Sequence, residues 1–216
     1  MKTRVLKINP ENPEKEKIKI AASILKRGGL VAFPTDTVYG LGADAENSRA
    51  VKKIFAVKRR PLSNPLPILI AKKSDLKKYT FVASTKIKKL IDKFWPGPLT
   101  LALQKKKIIS NVVTAGKKTV GVRVPKNPVA LALIRALGQP IATTSANIAN
   151  KPSPITAQNV KKYLNNKIEL ILDGGKTKLG VESTVLDCTT SPPTLLRTGV
   201  ISVRKIEKII GKTKTD

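Results

Sequence analysis

The sequence predicts a single α/β domain on a mixed β-sheet, residues 1–216. Three observations carry this. Short apolar, β-branched runs alternate with segments of helical periodicity. Several connections between those runs are too short to hold a crossover helix, so parallel and antiparallel neighbours must be mixed. No internal repeat or linker divides the 216 residues, a length at which one domain can bury roughly 70% of its unfolded surface.

Taken in order, Asn12-Pro13-Glu14 reads as a helix start, with a cap, a first-turn proline and an acid near the positive end. Ile18, Ala21, Ala22 and Leu25 keep helical spacing until Gly28-Gly29. Leu30-Val31-Ala32-Phe33 is a short buried strand. It opens into Pro34-Thr35-Asp36-Thr37-Val38-Tyr39-Gly40-Leu41-Gly42, read as a shaped loop. A strand ending in a polar, glycine-punctuated loop is how open α/β sheets present a ligand site, though an ordinary strand-to-helix turn looks the same. Thr35 and Thr37 sit two apart, so in an extended segment their hydroxyls face one way.

A second helix begins at Ser48, with Val51, Ile54 and Phe55 inside, and runs into a stiff loop where Pro61 and Pro65 bracket Asn64. Lys58 and Arg60 are expected to project from the start of that loop. Leu66 to Ile70 is a strand. A helix carrying Ile87, Leu90, Ile91 and Phe94 stops at Trp95-Pro96-Gly97-Pro98. Strand Leu99 to Gln104 follows, then Lys105-Lys106-Lys107, a turn with exposed charge. In Thr119 to Val124, period two puts Val120, Val122 and Val124 on one face and Thr119, Gly121 and Arg123 on the other. Arg123 is thus either an anion clamp or a surface arginine. Pro128 to Leu137 is a helix closed by Gly138, and Ile141 onward is a strand opening at Thr143, Ser145 and Asn147. Ile168 to Leu172, Ser183 to Leu186 and Leu195 to Arg197 are strands, and the closing helix buries Val203, Ile206, Ile209 and Ile210.

Composition narrows the function. Lys and Arg number 42 against 14 acids, a net charge of +28 that attracts polyanions, although much of the lysine reads as solvated surface. Eight aromatics are too few for a base-stacking platform. The absence of histidine excludes a His-based triad or zinc site. Cys188, the single cysteine, excludes an internal disulfide and fits a reducing cytoplasm. No apolar run approaches the ~20 residues that span a bilayer. The basic start, Met1 to Arg4, leads into no signal core, so neither membrane nor export is expected. Gly175-Lys176-Thr177 is not a phosphate loop, because Leu170 stands where its first glycine belongs. What remains is a set of strand-end loops rich in Thr, Ser, Asn, Lys and Arg. These suit a phosphorylated ligand and, lacking a general base, chemistry driven by positioning and phosphate neutralisation.

Nine ordered motifs sharpen this: residues 33–42, Lys-x-Arg-Pro-x-x-Asn-Pro-Leu at 58–66, Trp-Pro-Gly-Pro-Leu-Thr at 95–100, Val-Arg-Val-Pro at 122–125, Ser-Ala-Asn at 145–147, Pro-Ser-Pro at 152–154, Asp-Gly-Gly at 173–175, Glu-Ser-Thr-Val at 182–185 and Leu-Arg-x-Gly at 196–199. With them the chain resembles the YrdC-type threonylcarbamoyl-AMP synthase family over about residues 12–210, in its single-domain form without an extra C-terminal domain. The resemblance implies a twisted mixed sheet with flanking helices around a basic concave cavity. It implies a nucleotidyltransferase that joins L-threonine, bicarbonate or CO2 and ATP into threonylcarbamoyl-AMP and pyrophosphate, with Mg2+ held mainly by the phosphates. A separate transferase complex would then modify tRNA. By the same resemblance Thr35, Thr37, Thr143 and Ser183 bind threonine and Arg123 meets its carboxylate. Lys58, Arg60, Asn64, Thr119, Ser145, Asn147, Ser153 and Arg197 contact ATP, with Lys58 and Arg60 assigned the catalytic charge. The chain departs from many relatives at Leu69, where they carry histidine. The alternative is a non-catalytic RNA-binding module using the same basic cavity, and the charge leaves room for weak binding of tRNA or double-stranded RNA.

Overall fold

The apolar run at 30–33 alternates between two cores. Leu30 and Ala32 point into one, Val31 and Phe33 into the other, so this short strand is buried on both faces. The computed structural model describes residues 2–82 and 84–215; Met1, which heads the basic N-terminal run, Ala83 and Asp216 lie outside the described residues. In chain order the elements are β1 (Arg4–Lys7), α1 (Lys15–Lys26), β2 (Val31–Phe33), β3 (Gly40–Asp44), α2 (Ser48–Lys58), β4 (Ile68–Leu69), α3 (Leu76–Tyr79), α4 (Thr85–Phe94), β5 (Leu99–Gln104), α5 (Asn111–Thr114), β6 (Thr119–Arg123), α6 (Pro128–Leu137), β7 (Ile141–Ser145), α7 (Ala157–Leu164), β8 (Leu170–Asp173), β9 (Thr184–Asp187), β10 (Thr194–Arg197), α8 (Val203–Ile210) and β11 (Lys214–Thr215).

Among the described residues the strands form one eleven-stranded sheet, ordered β1-β8-β2-β3-β7-β4-β6-β5-β9-β10-β11. It is mixed: β2 is parallel to β8 and antiparallel to β3, and β6 is parallel to β4 and antiparallel to β5. So many strands stay in one sheet only by twisting and curling. Helices α1 and α6 pack together over the face that carries Val31, Phe33, Leu69, Leu170 and Leu172. Apolar residues of α2, α4 and α8 cover the other.

Four sequence expectations change. Gly40 to Gly42, read as loop, is the start of β3, paired antiparallel with β2 and β7. Glycine is required there because a Cβ at Gly42 would lie 2.5 Å from Ile141 and 2.8 Å from Phe33. Asn12 does not cap α1: its N–H donates to Asn9 Oδ1, and the helix starts at Lys15. The strand expected from Leu66 to Ile70 is the two-residue β4, flanked by Pro67, whose carbonyl accepts from Thr143 N instead. The Lys105–Lys107 turn is partly tied down, since Lys105 Nζ donates to Ile109 O and Asn111 Oδ1, and Lys106 Nζ to Lys77 O. Strands β1 and β11 and helices α3, α5 and α7 have no counterpart in the sequence reading.

Candidate functional site

The short β2 delivers the chain to a bend at 34–39 that three other segments pin in place. Tyr39 OH donates to Gly175 O at 2.7 Å, Tyr39 N donates to Pro154 O, and Gly180 N donates to Thr37 O. Gly174 is small because a Cβ there would press to 2.9 Å from Pro34. The bend forms one wall of a cleft that is open to solvent. The two threonine hydroxyls meet at 2.9 Å as expected, but in a bend rather than an extended segment.

Arg123, at the end of β6, is buried in that wall, so the surface-arginine reading falls. Its Nε donates to Gly97 O, Nη1 to Thr37 Oγ1 and Nη2 to Asp36 Oδ1. Gly97 can approach because it lacks a Cβ, which would collide with Phe94 O at 2.4 Å. Burial pulls the guanidinium pKa down while Asp36 pushes it back up. Two of the five guanidinium N–H groups stay unused, enough for one carboxylate. Proton direction is fixed along the wall: Arg123 donates to Thr37, and Thr35 donates to Val38 O at 2.6 Å, so Thr37 must donate to Thr35. Thr143 Oγ1 likewise spends its proton on Leu41 O. Thr35 also accepts from Thr37 N, so both its lone pairs are taken and it acts by fixing Thr37; Thr37 and Thr143 keep acceptor positions in the cleft lining, suited to an ammonium or hydroxyl donor.

The opposite wall is cationic. Arg60 is held by the carbonyls of Asn64 and Pro65. Arg197 donates through Nε and Nη2 to Ser183 O and through Nη2 to Ser183 Oγ, and pairs through Nη1 with Glu182. Burial first, then Arg197, pull the Arg60 pKa down. Ser183 Oγ also meets Thr100 Oγ1 at 2.9 Å, and both residues line the cleft. Leu69 is buried in the cleft lining, an apolar contact at the position of the histidine expected in relatives.

Of the sequence-predicted residues, Thr35, Thr37, Arg60, Arg123, Thr143, Ser145, Ser183 and Arg197 line this one cleft. Lys58 does not project from the loop as expected. It is buried behind the wall, its Nζ donating to Ser145 O (2.5 Å), Asn147 O (2.7 Å) and Asn147 Oδ1 (2.8 Å). Burial and then Arg60 pull its ammonium down to about 8. Asn147 Oδ1 also accepts from Ser145 Oγ, so the lysine fixes the whole turn. Ser153 reaches the cationic wall through Glu182 Oε1, at 2.6 Å. The Asn64 side chain is exposed, and only its carbonyl meets Arg60. Thr119 stands at the far end of β6, opposite Gln104 and about 13 Å along the strand from Arg123. Sequence reasoning quoted but did not use Asp36, Thr100 and Glu182. With only 14 acids in a chain of +28, an acid kept inside a ligand motif was the available signal.

Fold and cleft define the class: a mixed α/β protein whose cleft can hold two anionic groups side by side, one on a buried fork and one on an open pair of arginines. A family model described as telomere recombination, grouping Sua5, YciO and YrdC proteins, matches residues 23–199. The threonylcarbamoyl-AMP synthase of Pyrococcus abyssi is 49% identical over 204 residues, 94% of this chain and 60% of that protein. The one of Bacillus subtilis is 51% identical over 197 residues, 91% and 57%. The crystal structure of P. abyssi Sua5 complexed with L-threonine superposes with a TM-score of 0.95 at 47% identity, over 99% of this chain and 63% of that one. The chain belongs to the Sua5/YciO/YrdC family, and it spans about 60% of the length of the first of these curated relatives.

Proposed function

We propose that the chain makes L-threonylcarbamoyl-AMP from L-threonine, bicarbonate or CO2, and ATP, releasing pyrophosphate. The observation that carries this reading is the pairing, within one cleft, of a buried arginine fork beside acceptor hydroxyls with two open arginines on the facing wall. The fork receives the threonine carboxylate through two parallel hydrogen bonds. The hydroxyls of Thr37 and Thr143 accept from the threonine amine or hydroxyl, Thr35 holds Thr37 in place for that role, and Ser183 lies between the two substrates. The amine adds to CO2 to give an N-carboxylate and a proton. That carboxylate attacks the α-phosphorus of ATP, the new C–O–P bond forms, and pyrophosphate departs with the broken bond's electron pair. Arg60 and Arg197 neutralise the phosphates, and Lys58 acts from behind by holding the Ser145–Asn147 turn against the nucleotide. Ser153 and Asn147 contribute to the same subsite; Asn64 and Thr119 would reach ATP only at its outer end.

Glu182 is the carboxylate that lines the cleft, and both its oxygens are engaged. A Mg2+ ion would therefore keep phosphate oxygens and water as its main ligands, and the charge it supplies would add to that of the arginines. The product would pass to a tRNA-modifying transferase in the cytoplasm. Among the described residues no helix is long and apolar enough to cross a membrane. An RNA-binding role draws on net charge alone. The test is pyrophosphate release by the purified chain with ATP, omitting threonine and bicarbonate in turn and without RNA. Release is expected only with both present; undiminished release without either, or an absolute need for tRNA, overturns the proposal.

A further inference from the structure

Glu182 is an acid in a wall built for anions, and neither substrate gives it a task. Its backbone is fixed: Val200 N donates to its carbonyl, and Gly199 sits so close that a Cβ there would lie 2.4 Å from that oxygen. Its side chain takes two groups, Arg197 Nη1 on Oε2 at 2.5 Å and Ser153 Oγ on Oε1 at 2.6 Å. A guanidinium and a hydroxyl are what a phosphate oxygen would take from the same wall. The negative charge is also felt at Arg60 and Lys58, where it opposes the repulsion among the cations.

The pair is built to let go. The Arg197 and Glu182 side chains keep 44% and 30% of their exposure, against 7% and 6% for Arg123 and Asp36. An ion pair that water can reach contributes little net stability, so an arriving polyanion can replace the carboxylate at small cost. A divalent or trivalent phosphate chain is the stronger competitor for Arg197; once it leaves, the tethered carboxylate is the nearest replacement.

We propose that Glu182 is a resident counter-ion of the polyphosphate subsite, occupying the place of a phosphate in the empty cleft, yielding it to ATP, and retaking Arg197 and Ser153 as pyrophosphate leaves. The inference rests on the ATP reading above. Its consequence is weaker binding of free pyrophosphate and faster clearance of the site, with threonine binding untouched.

Calorimetric titration of the full chain with inorganic pyrophosphate, with ATP and with threonine, each with and without Mg2+, compares parent with Glu182→Gln. Glutamine keeps the size and can still accept from Ser153, so the wall stays packed. Pyrophosphate is expected to bind the variant about three- to ten-fold tighter whether or not Mg2+ is present, with threonine affinity unchanged. A merely structural glutamate would instead lose affinity on substitution. Unchanged or weaker pyrophosphate binding overturns the counter-ion, and weakening confined to the Mg2+ arm identifies Glu182 as a metal ligand. Glu182→Ala, checked by its melting curve, gives the same sign if the proposal holds. If the parent binds neither ATP nor pyrophosphate, the ATP reading itself fails. If it binds both and the variants gain nothing, only the counter-ion does.

Discussion

The two ends of the cleft solve one problem differently. Both place an arginine in the cleft lining, and both give that arginine an acid partner. At the Arg123 end the pair is sealed: Asp36 Oδ1 takes Arg123 Nη2 and the N–H of Lys126, and its Oδ2 is buried without a hydrogen-bond partner among the described residues. At the Arg197 end the pair stands in a solvent-open wall. A sealed guanidinium cannot lose its counter-charge without leaving an uncompensated buried ion, so it must share, offering the ligand only the donors its partner leaves free. An open one can exchange partners. On the function proposed above, the first arrangement suits geometric selection of one small carboxylate, and the second suits turnover of a highly charged chain that must later depart.

The sharpest way to break this comparison is to remove the sealed acid. Asp36→Ala strands Arg123, and the chain is expected to lose about 3–5 kcal/mol of stability. Chemical denaturation reads this directly. A loss no greater than that of Glu182→Ala would mean the two pairs are alike and the distinction is false.

Next comes the open end. Arg60→Ala is expected to cost about 2–3 kcal/mol of ATP binding, and Arg197→Ala less because its side chain is more exposed and already shared with Glu182. Steady-state kinetics should show apparent KM for ATP rising far more than KM for threonine in both. Equal rises for the two substrates would dissolve the division of the cleft into two ends. At the sealed end, Arg123→Lys keeps the charge but not the fork, and threonine binding should weaken by about 1.5–2 kcal/mol with ATP affinity nearly unchanged. Separate titrations with each substrate decide it; undiminished threonine binding would show that the fork plays no part.

How much of this could be read in the sequence follows the same division. Period two placed Arg123 opposite three buried valines, and that strand is as expected. The arginine's burial was not legible, because it depends on Asp36 and Gly97 arriving from distant parts of the chain. Gly40 and Gly42 misled for a physical reason: glycine signals a loop in sequence, but here it makes room for Phe33 and Ile141 beside a strand. Lys58 reads in sequence as a cation projecting from the start of the proline-bracketed loop, and it is buried instead. Its three acceptors come from residues 145–147, which no local pattern could announce. The ordered motifs nevertheless point to the cleft, because seven of the nine supply residues that line it, and the other two, at 152–154 and 173–175, hold Tyr39 from behind.

Lys58 links the two ends to pH. Burial pulls its ammonium down to about 8 from the ordinary value of 10.5. Between those values the unfolded chain holds more protons, so this group's contribution to stability rises with pH across that window rather than falling. The hydrogen bonds to Ser145 and Asn147 nevertheless weaken as the ammonium is lost. Turnover is therefore expected to decline above about pH 8 while the melting temperature does not drop with it. Parallel pH series of rate and melting would show the two curves separate; a rate that merely tracks unfolding would remove Lys58 from the account.

The smallest expected effect tests whether the cleft owns its electrostatics at all. The chain carries +28, and a diffuse field of that size could itself concentrate ATP. Lys105 and Lys106 are poor controls, because both hold carbonyls and their loss would disturb the turn. Lys161 and Lys162 are exposed on α7. Lys161→Ser with Lys162→Ser removes two charges and should change stability by no more than about 0.5 kcal/mol. If the paired cations at the cleft do the binding, the KM for ATP stays within about two-fold of the parent at 0.15 M salt, where charges beyond ~8 Å are screened. A fall in ATP affinity comparable to that of Arg60→Ala would show that the bulk field binds the nucleotide. The contrast between a sealed and an open end would then describe geometry without describing binding.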